Sequence, residues 1–238
     1  MNNSSSIDGL VSMYAPILHF HPKEGEFCCY PSDAEETYAL FHENWELFTE
    51  HRSPKELLPS APCYYESWEE TRFIQIRYWF WYRYNDMQGV PLGIGKHVGD
   101  WEHVEVRLYD STKPEDAIWL LSNHFEARLA SLSKVLEGFV REEAILTKGQ
   151  IHIWSALGTH ANYPSPLSKP RCYVRFFCDK IADDGSIWNT QENLVVLNET
   201  NFRNFKGRWG DKKAPRGPAN EYNNRWRNAP NSTPFYSI

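Results

Sequence analysis

The chain has 238 residues, of which 15% are aromatic and 24% charged, and its formal net charge is −6 at pH 7. This length suffices for one well-cored domain, and no window approaches the roughly 18 uninterrupted apolar residues that a membrane-spanning helix needs. Residues 1–6 contain neither a basic nor an apolar segment. We therefore expect no secretory signal and a cytoplasmic location, with non-standard export as the alternative.

Apolar patterning predicts a mainly β protein. Residues 14–20 predict a strand at an edge or entry position, and 21–24 a surface turn, with a place in a functional site as the alternative. Asp33 can cap a helix over 33–51, because apolar side chains recur there at helical spacing. Residues 72–84 give the strongest strand signal, with an aromatic face and a face that carries Trp and Arg. Further strands are predicted at 101–109, 117–122, 150–156, 172–179 and 194–198.

Two segments depart from the strand rhythm. Within 125–146, leucine, valine and phenylalanine recur at intervals of three and four, which predicts an amphipathic helix. From residue 201 to 238 the chain is rich in Gly, Pro, Asn and Arg, with Trp209 and Trp226 as isolated anchors. We therefore predict one domain over 1–238: a two-sheet β-sandwich with helical insertions and a long irregular C-terminal wrap.

The charge distribution concerns possible partners. Residues 203–227 hold eight Lys or Arg against two acidic residues, a local +6, which leaves about −12 on 1–202. Cations interleaved with tryptophan can bind nucleic acid. A basic segment beside an acidic body can also simply dock on that body, and no nucleic-acid-binding motif is present. We therefore expect no nucleic-acid partner.

The five cysteines leave at least one thiol unpaired in a monomer. Cys28 and Cys29 are adjacent, and Cys172 and Cys178 are too far apart along one predicted strand to pair. No CxxC spacing points to structural zinc. We expect mostly reduced core thiols, with a disulfide from Cys63 as the alternative.

The stretch 95–106 carries the clearest functional signal. A strand beginning at Trp101 turns a run of valines toward its buried face, since side chains alternate along a strand. Asp100 and Glu102 share that parity, and His97 precedes them. Because unpaired carboxylates are costly to bury, a bound cation beside a histidine would stabilise them. The alternative is a wet strand end where the carboxylates are solvated or paired with arginine.

Loops that end other strands offer further ligands. Asp86 ends the aromatic strand, while His124 and His160 follow two later strands. An oxygen-rich set of Asp86, Asp100 and Glu102 favours calcium or magnesium; manganese, iron or zinc match better as histidines join the set. Each loop histidine can instead be a plain hydrogen-bonding residue, and Asp86 a turn residue.

Short motifs run in order through most of the chain, at 14–16, 21–24, 30–32, 97–102, 122–124, 158–164, 207–210, 217–218 and Trp226. Together they resemble the vacuolar protein sorting-associated protein 62 family and, more distantly, the necrosis- and ethylene-inducing peptide-like proteins. In the necrosis-inducing relatives, the segment matching 97–102 belongs to a metal site at one end of a β-sandwich. The resemblance implies that His97, Asp100 and Glu102 bind or surround a metal, with Asp86 as the fourth member. This chain departs from the pattern at Gly99, where the relatives carry a second histidine.

Two functions follow as hypotheses. The first is a divalent-metal-dependent binding protein, toxin-like by resemblance, that recognises a glycan or a lipid head group. The second is a metal-dependent enzyme of the hydrolase or lyase type, which acts on a small-molecule substrate with His124 or His160 as general acid or base. A metal that only ties strands together is a third reading.

Overall fold

The computed structural model describes residues 4–27, 29–48, 54–87, 89–93, 95–109, 117–121, 125–128, 140–173 and 176–219. All but two of the described strands form two mixed sheets, the remaining two pair with each other, and the main hydrophobic core draws side chains from both mixed sheets. The predicted fold class, a two-sheet β-sandwich with helical insertions, is confirmed. In this part of the chain, no helix has both the length and the apolar character needed to cross a bilayer.

In the described residues the helices are α1 (Ser4–Tyr14), α2 (Glu24–Phe27) and α3 (Ala34–Phe41), with 3₁₀ turns at Trp45–Leu47, Pro91–Gly93, Thr190–Asn193 and Leu197–Glu199. The strands are β1 (Ile17–Phe20), β2 (Cys63–Glu69), β3 (Ile74–Asn85), β4 (His97–Leu108), β5 (Ile118–Leu121), β6 (Phe125–Arg128), β7 (Val140–Glu143), β8 (Leu146–Thr147), β9 (Gln150–Ser155), β10 (Asn162–Tyr163), β11 (Cys172–Tyr173), β12 (Phe177–Cys178), β13 (Ile187–Asn189) and β14 (Leu194–Val196). Asp33 caps α3 as predicted, because its carboxylate accepts hydrogen bonds from the backbone N–H groups of Glu35 and Glu36.

The larger sheet has the described strand order β14-β2-β3-β4-β5-β6-β7. Its longest pairing is the antiparallel one between β3 and β4, in which Tyr82 lies opposite Asp100 and Asn85 opposite His97. Because side chains alternate along both strands, this register places Asp100 on the face that also carries Val104 and the inner aromatic residues of β3. The sequence prediction that Asp100 shares the buried face of this strand with the valines is therefore correct.

The smaller sheet pairs β10, β9, β1 and β13 in that order, with β8 added beside β9. The strand β1 runs parallel to β9 and antiparallel to β13, so the N-terminal strand lies inside the sheet. Its predicted entry position is correct, since Pro16 immediately precedes it. The inner faces of both sheets bury an apolar core that includes Leu18, Ile153, Phe80 and Val106.

A second core covers the outer face of the larger sheet. It consists mainly of aromatic side chains from β2, β3 and β4, over which α3 and residues 202–209 pack. Trp209 is fully buried there, which confirms its anchoring role, while Trp226 lies outside the described residues. The close approach requires glycine at position 99: a Cβ at Gly99, where φ is +80°, would lie 1.7 Å from the Trp209 carbonyl oxygen.

The same outer face also buries an ionic network. Arg77 pairs with Glu66 at 2.9 Å and with Glu105 at 3.1 Å, and the His103 ring lies 3.2 Å from Glu105. The Gln75 amide donates to the other Glu105 oxygen at 2.7 Å. Burial alone would raise the pKa of Glu105, but Arg77 and His103 outweigh it and hold that pKa below its ordinary value.

The helix predicted over 125–146 is wrong at both of its ends. The strand β6 occupies its beginning, and β7 and β8 occupy its last part, while 129–139 lie outside the described residues. The backbone of β6 pairs with β5, where Trp119 lies opposite Ala127. Pairing with an available sheet edge overrides a local pattern of apolar spacing that suits a helix.

The predictions for the cysteines also need correction. The chain turns between β11 and β12 instead of running as one strand, so Cys172 lies opposite Cys178 and the two form a disulfide. Cys29 is also disulfide-bonded. Cys63 is free and buried, and burial raises the pKa of its thiol well above the ordinary range. Among the four cysteines that the structure describes, the predicted reduced thiol is therefore correct for Cys63 and wrong for Cys29, Cys172 and Cys178.

Candidate functional site

The candidate site lies at the end of the sandwich where β3 ends and β4 begins. Asp86 directly follows β3, and its backbone N–H donates to the Gly158 carbonyl at 2.8 Å. This bond ties the end of β3 to the loop 156–161, which follows β9. The fit requires glycine, because a Cβ at Gly158 would lie 2.3 Å from the Asp86 carbonyl oxygen. Three separate segments of the chain therefore meet at this end.

His160 occupies the centre of the site and is completely buried. Its Nδ1 lies 3.0 Å from Asp100 Oδ2, and its Nε2 lies 3.6 Å from Glu24 Oε1. The ring stacks on Tyr82, with ring centres 3.7 Å apart and planes within 3°. The backbone at His160 has a φ of +53°, a conformation that non-glycine residues seldom adopt. The loop is therefore shaped to hold this ring between the two carboxylates.

The electrostatics of this arrangement make His160 a cation. Burial by itself would lower the pKa of the imidazole, but hydrogen bonds and charge interactions with Asp100 and Glu24 raise that pKa to about 9. At neutral pH the ring is therefore protonated: its Nδ1 donates to Asp100, and its Nε2 lies within ion-pair distance of Glu24. Tyr82 below it stays neutral, since burial raises the pKa of its hydroxyl well above the ordinary value.

Glu24 belongs to this site, although the sequence favours a surface turn over residues 21–24. It begins α2, is fully buried, and accepts hydrogen bonds from the backbone N–H groups of Gly158 at 3.2 Å and Cys29 at 3.4 Å. The available signal was its position in one of the motifs that carry the family resemblance. The polar residues around Glu24 in the sequence indicate a solvent-exposed turn instead. Nothing in that segment reveals that the partner of Glu24 is His160, which lies 136 positions later in the chain.

The other predicted metal ligands are held by different partners. Asp86 is buried, and its Oδ2 pairs with the Lys96 ammonium at 2.7 Å. The half-buried His97 directs its Nδ1 to the Gly99 carbonyl oxygen at 2.7 Å. Glu102 lies on the same face of β4 as Asp100 and is half-buried. The structure thus brings Asp100 and His160 together and keeps His97 on a local contact.

These donors do not fit a metal ion in the arrangement described. Across the ranges that the structure describes, no three His, Cys, Asp or Glu side chains are placed to share one ion. Asp100 and Asp86 each face a nitrogen cation from the chain itself, at 3.0 and 2.7 Å. His124 lies outside the described residues. The metal, and the roles assigned to the individual residues, stay predictions.

Comparison with known proteins supports the resemblance found in the motifs. No family model matches the chain. It is 32% identical over 157 residues to vacuolar protein sorting-associated protein 62 of Saccharomyces cerevisiae, a match that covers 54% of this chain. The chain spans only 32% of the length of that relative. The predicted resemblance is thereby confirmed, and the activity of the whole relative does not follow from it.

Solved structures of necrosis-inducing proteins give a weaker likeness. The non-toxic HaNLP3 protein is 14% identical, with 82% of this chain and 76% of that chain covered and a TM-score of 0.45. NLPPya in complex with mannosamine is 14% identical, with 82% and 75% covered and a TM-score of 0.39. Necrosis and Ethylene inducing Protein 2 from the agent of cocoa's Witches Broom disease is 14% identical, with 79% and 73% covered and a TM-score of 0.41. At these scores the likeness carries no argument about function.

Proposed function

We propose that the protein binds a polar head group, from a glycan or a lipid, at the end of the sandwich that carries Asp86, His97, Asp100 and Glu102. The observation that carries the proposal is the enclosed ion group Glu24–His160–Asp100, beside which Glu102 remains half-buried. Fixed charges inside a rigid end of a fold can orient side chains toward a ligand without further rearrangement. The motif resemblance favours the same end of the molecule.

The contacts to a ligand would come from the partly exposed side chains. The Lys96 side chain is 41% exposed and can donate to a hydroxyl or phosphate oxygen. His97 and Glu102, both half-buried, can accept hydrogen bonds from the hydroxyl groups of a sugar or an inositol-like ring. Asp100 and His160 would be positioning residues, because they are enclosed and contact each other.

Three finer points belong to this proposal. The first is dependence on calcium or magnesium, which was inferred from the motif and would require rearrangement of Asp86 and Asp100. The second is a toxin-like action, and the third is a cytoplasmic location. A metal analysis and a vesicle-leakage assay address the first two points, and fractionation of the producing cells addresses the third.

The test is binding to a glycan array and to lipid vesicles that carry neutral, anionic or glycosylated head groups. Glu102→Gln and His97→Ala should each weaken binding at least tenfold, while the matched variant Glu69→Gln should not. Glu69 is exposed at the far end of β2, so it controls for loss of surface charge. Equal binding by all four proteins would refute the proposed site. Each assay is run with calcium and with chelator, which separates head-group binding from its metal dependence.

The enzyme hypothesis receives no support from the geometry of His160. A general base must accept a proton and reach the substrate. His160 is enclosed, and its raised pKa of about 9 keeps it protonated at neutral pH. We therefore keep binding as the proposed function.

A further inference from the structure

We propose that the protein docks on an anionic lipid bilayer through two loops, one that carries Leu167 and one that carries Phe176. The two apolar side chains enter the boundary between head groups and acyl chains, while basic side chains beside them bind the negative head groups. This lipid-contact surface consists of Leu167, Lys169, Arg171, Phe176 and Lys180. The inference goes beyond the proposed head-group binding and holds or fails without it, because it concerns different residues.

The lipid-contact surface carries the two most exposed large apolar side chains in the described part of the chain. Leu167 is 92% exposed and Phe176 is 82% exposed. Single exposed apolar side chains are ordinary on a protein surface, so exposure by itself indicates little. These two differ from a chance scatter because the loops that carry them share one base.

Hydrogen bonds and a disulfide close both loops at this base. The backbone N–H of Arg171 donates to the Tyr163 hydroxyl at 2.9 Å, which closes the loop that carries Leu167. The strands β11 and β12 pair as a hairpin and are joined by their disulfide, and Phe176 directly precedes β12. The Asp179 N–H, just after β12, donates to the Arg171 carbonyl at 2.9 Å. The second loop therefore ends where the first loop is closed.

Asp179 also fixes this base to the candidate site. Its carboxylate is buried, and its two oxygens accept hydrogen bonds from the Tyr163 hydroxyl at 2.5 Å and from the Thr159 hydroxyl at 2.8 Å. Thr159 belongs to the loop 156–161, which closes the candidate site after β9. A bilayer that docks on the lipid-contact surface therefore lies beside the end of the sandwich where we place the head-group site.

The charge of the lipid-contact surface selects an anionic partner. Lys169, Arg171 and Lys180 are exposed, whereas the acidic residue of this segment, Asp179, is buried. The chain as a whole has a formal net charge of −6, so this positive surface is a local feature. Anionic bilayers attract basic residues that lie beside exposed apolar side chains. A stable protein partner requires a broad complementary area, whereas a fluid bilayer can take up two separate side chains.

The test is flotation of the full chain with vesicles of phosphatidylcholine alone, or of phosphatidylcholine with about 30% phosphatidylserine. We expect at least about tenfold tighter binding to the anionic vesicles, and weaker binding as NaCl is raised. Leu167→Ser and Phe176→Ser should each weaken this binding at least about fivefold, because each removes an apolar side chain from the bilayer boundary. The matched control Leu40→Ser, at a side chain that is 64% exposed on α3, should bind like wild type. Absence of wild-type flotation, or wild-type binding by either loop variant, would overturn the proposal.

A second pair of variants tests the charge. Lys169→Gln should weaken binding to the anionic vesicles about fivefold, since one basic residue near such a surface contributes about that factor. Lys213→Gln removes an exposed charge from the C-terminal wrap and should bind like wild type. Equal losses for the two variants would show that overall charge, and not this surface, decides. Retention on immobilised polyglutamate without flotation would assign the surface to an acidic protein and would also refute the bilayer contact.

The same vesicles separate this inference from the proposed head-group site. Loss of flotation with Phe176→Ser but not with Glu102→Gln supports the lipid contact, whatever the glycan array shows for Glu102→Gln. Loss with Glu102→Gln but not with Phe176→Ser refutes the lipid contact and leaves the head-group site in place.

Discussion

Gly99 provides a direct test of how the C-terminal wrap is fitted to the larger sheet. The substitution Gly99→Ala adds one methyl group at a φ of +80°, a left-handed conformation that costs an alanine roughly 1–2 kcal/mol. The new Cβ would also lie 1.7 Å from the Trp209 carbonyl oxygen and 2.9 Å from the Trp81 ring. Relief requires backbone movement, and such overpacking costs roughly a further 1–3 kcal/mol. The total expected loss of unfolding free energy is about 2–5 kcal/mol.

Gly89 offers a matched control. It has a φ of +85°, but a Cβ there would meet nothing within 4 Å, so Gly89→Ala should cost only the conformational part of the loss. We expect Gly99→Ala to melt about 2–12 °C below Gly89→Ala in a domain of this size. Urea denaturation followed by tryptophan fluorescence measures both free energies. Equal losses for the two variants would refute the account of a close approach between β4 and the wrap.

Two further predictions concern charge. His19 and His152 share a hydrogen bond of 2.7 Å, and burial lowers the pKa of both rings. The two imidazoles bind protons more readily in the unfolded chain than in the folded one. Their contribution to the free energy of unfolding is therefore fully present above about pH 6.5 and is lost as the pH falls below that value. Urea titrations at pH 7 and 5 should show a smaller loss for His152→Gln than for wild type, and an equal loss would contradict this reasoning. Arg77→Met leaves Glu105 buried without its guanidinium and should cost roughly 3–5 kcal/mol. Arg83→Met leaves the exposed Glu36 carboxylate in solvent, so loss of that ion pair should cost below about 1 kcal/mol; similar values for the two variants would show that the Arg77 pair contributes little.

The sequence predicts this fold well wherever side-chain alternation matches the hydrogen-bonded register. The aromatic segment at 72–84 and the segment from 101 onward become β3 and β4 because their buried faces continue one core. The segment 125–146 fails for a related reason. Its apolar spacing describes a helix, but strand pairing with β5 decides the conformation of its first residues. Whether a segment pairs with a neighbouring strand cannot be read from the spacing of its apolar residues alone.

The candidate site, like the fold, is predicted from the sequence only in part. The parity of Asp100 predicts its burial, and the need for a nearby positive charge follows from the cost of burying a carboxylate. The source of that charge is not encoded locally. His160 and Glu24 come from a loop and a short helix distant in sequence, and only the fold brings them together. The disulfide between Cys172 and Cys178 is not predicted because the sequence pattern indicates one continuous strand, whereas the chain forms two short paired strands there.

The placement of β1 has a consequence for synthesis on the ribosome. The strand lies between β9 and β13, so its two neighbours are translated about 130 and 170 residues later. The antiparallel run β2 to β6 can assemble from neighbouring segments, while β1 must wait until β9 and β13 have emerged. Contacts of such long sequence separation slow folding. We expect strands β2 to β6 of the larger sheet to form early, and the smaller sheet to close as a late, slow event of folding.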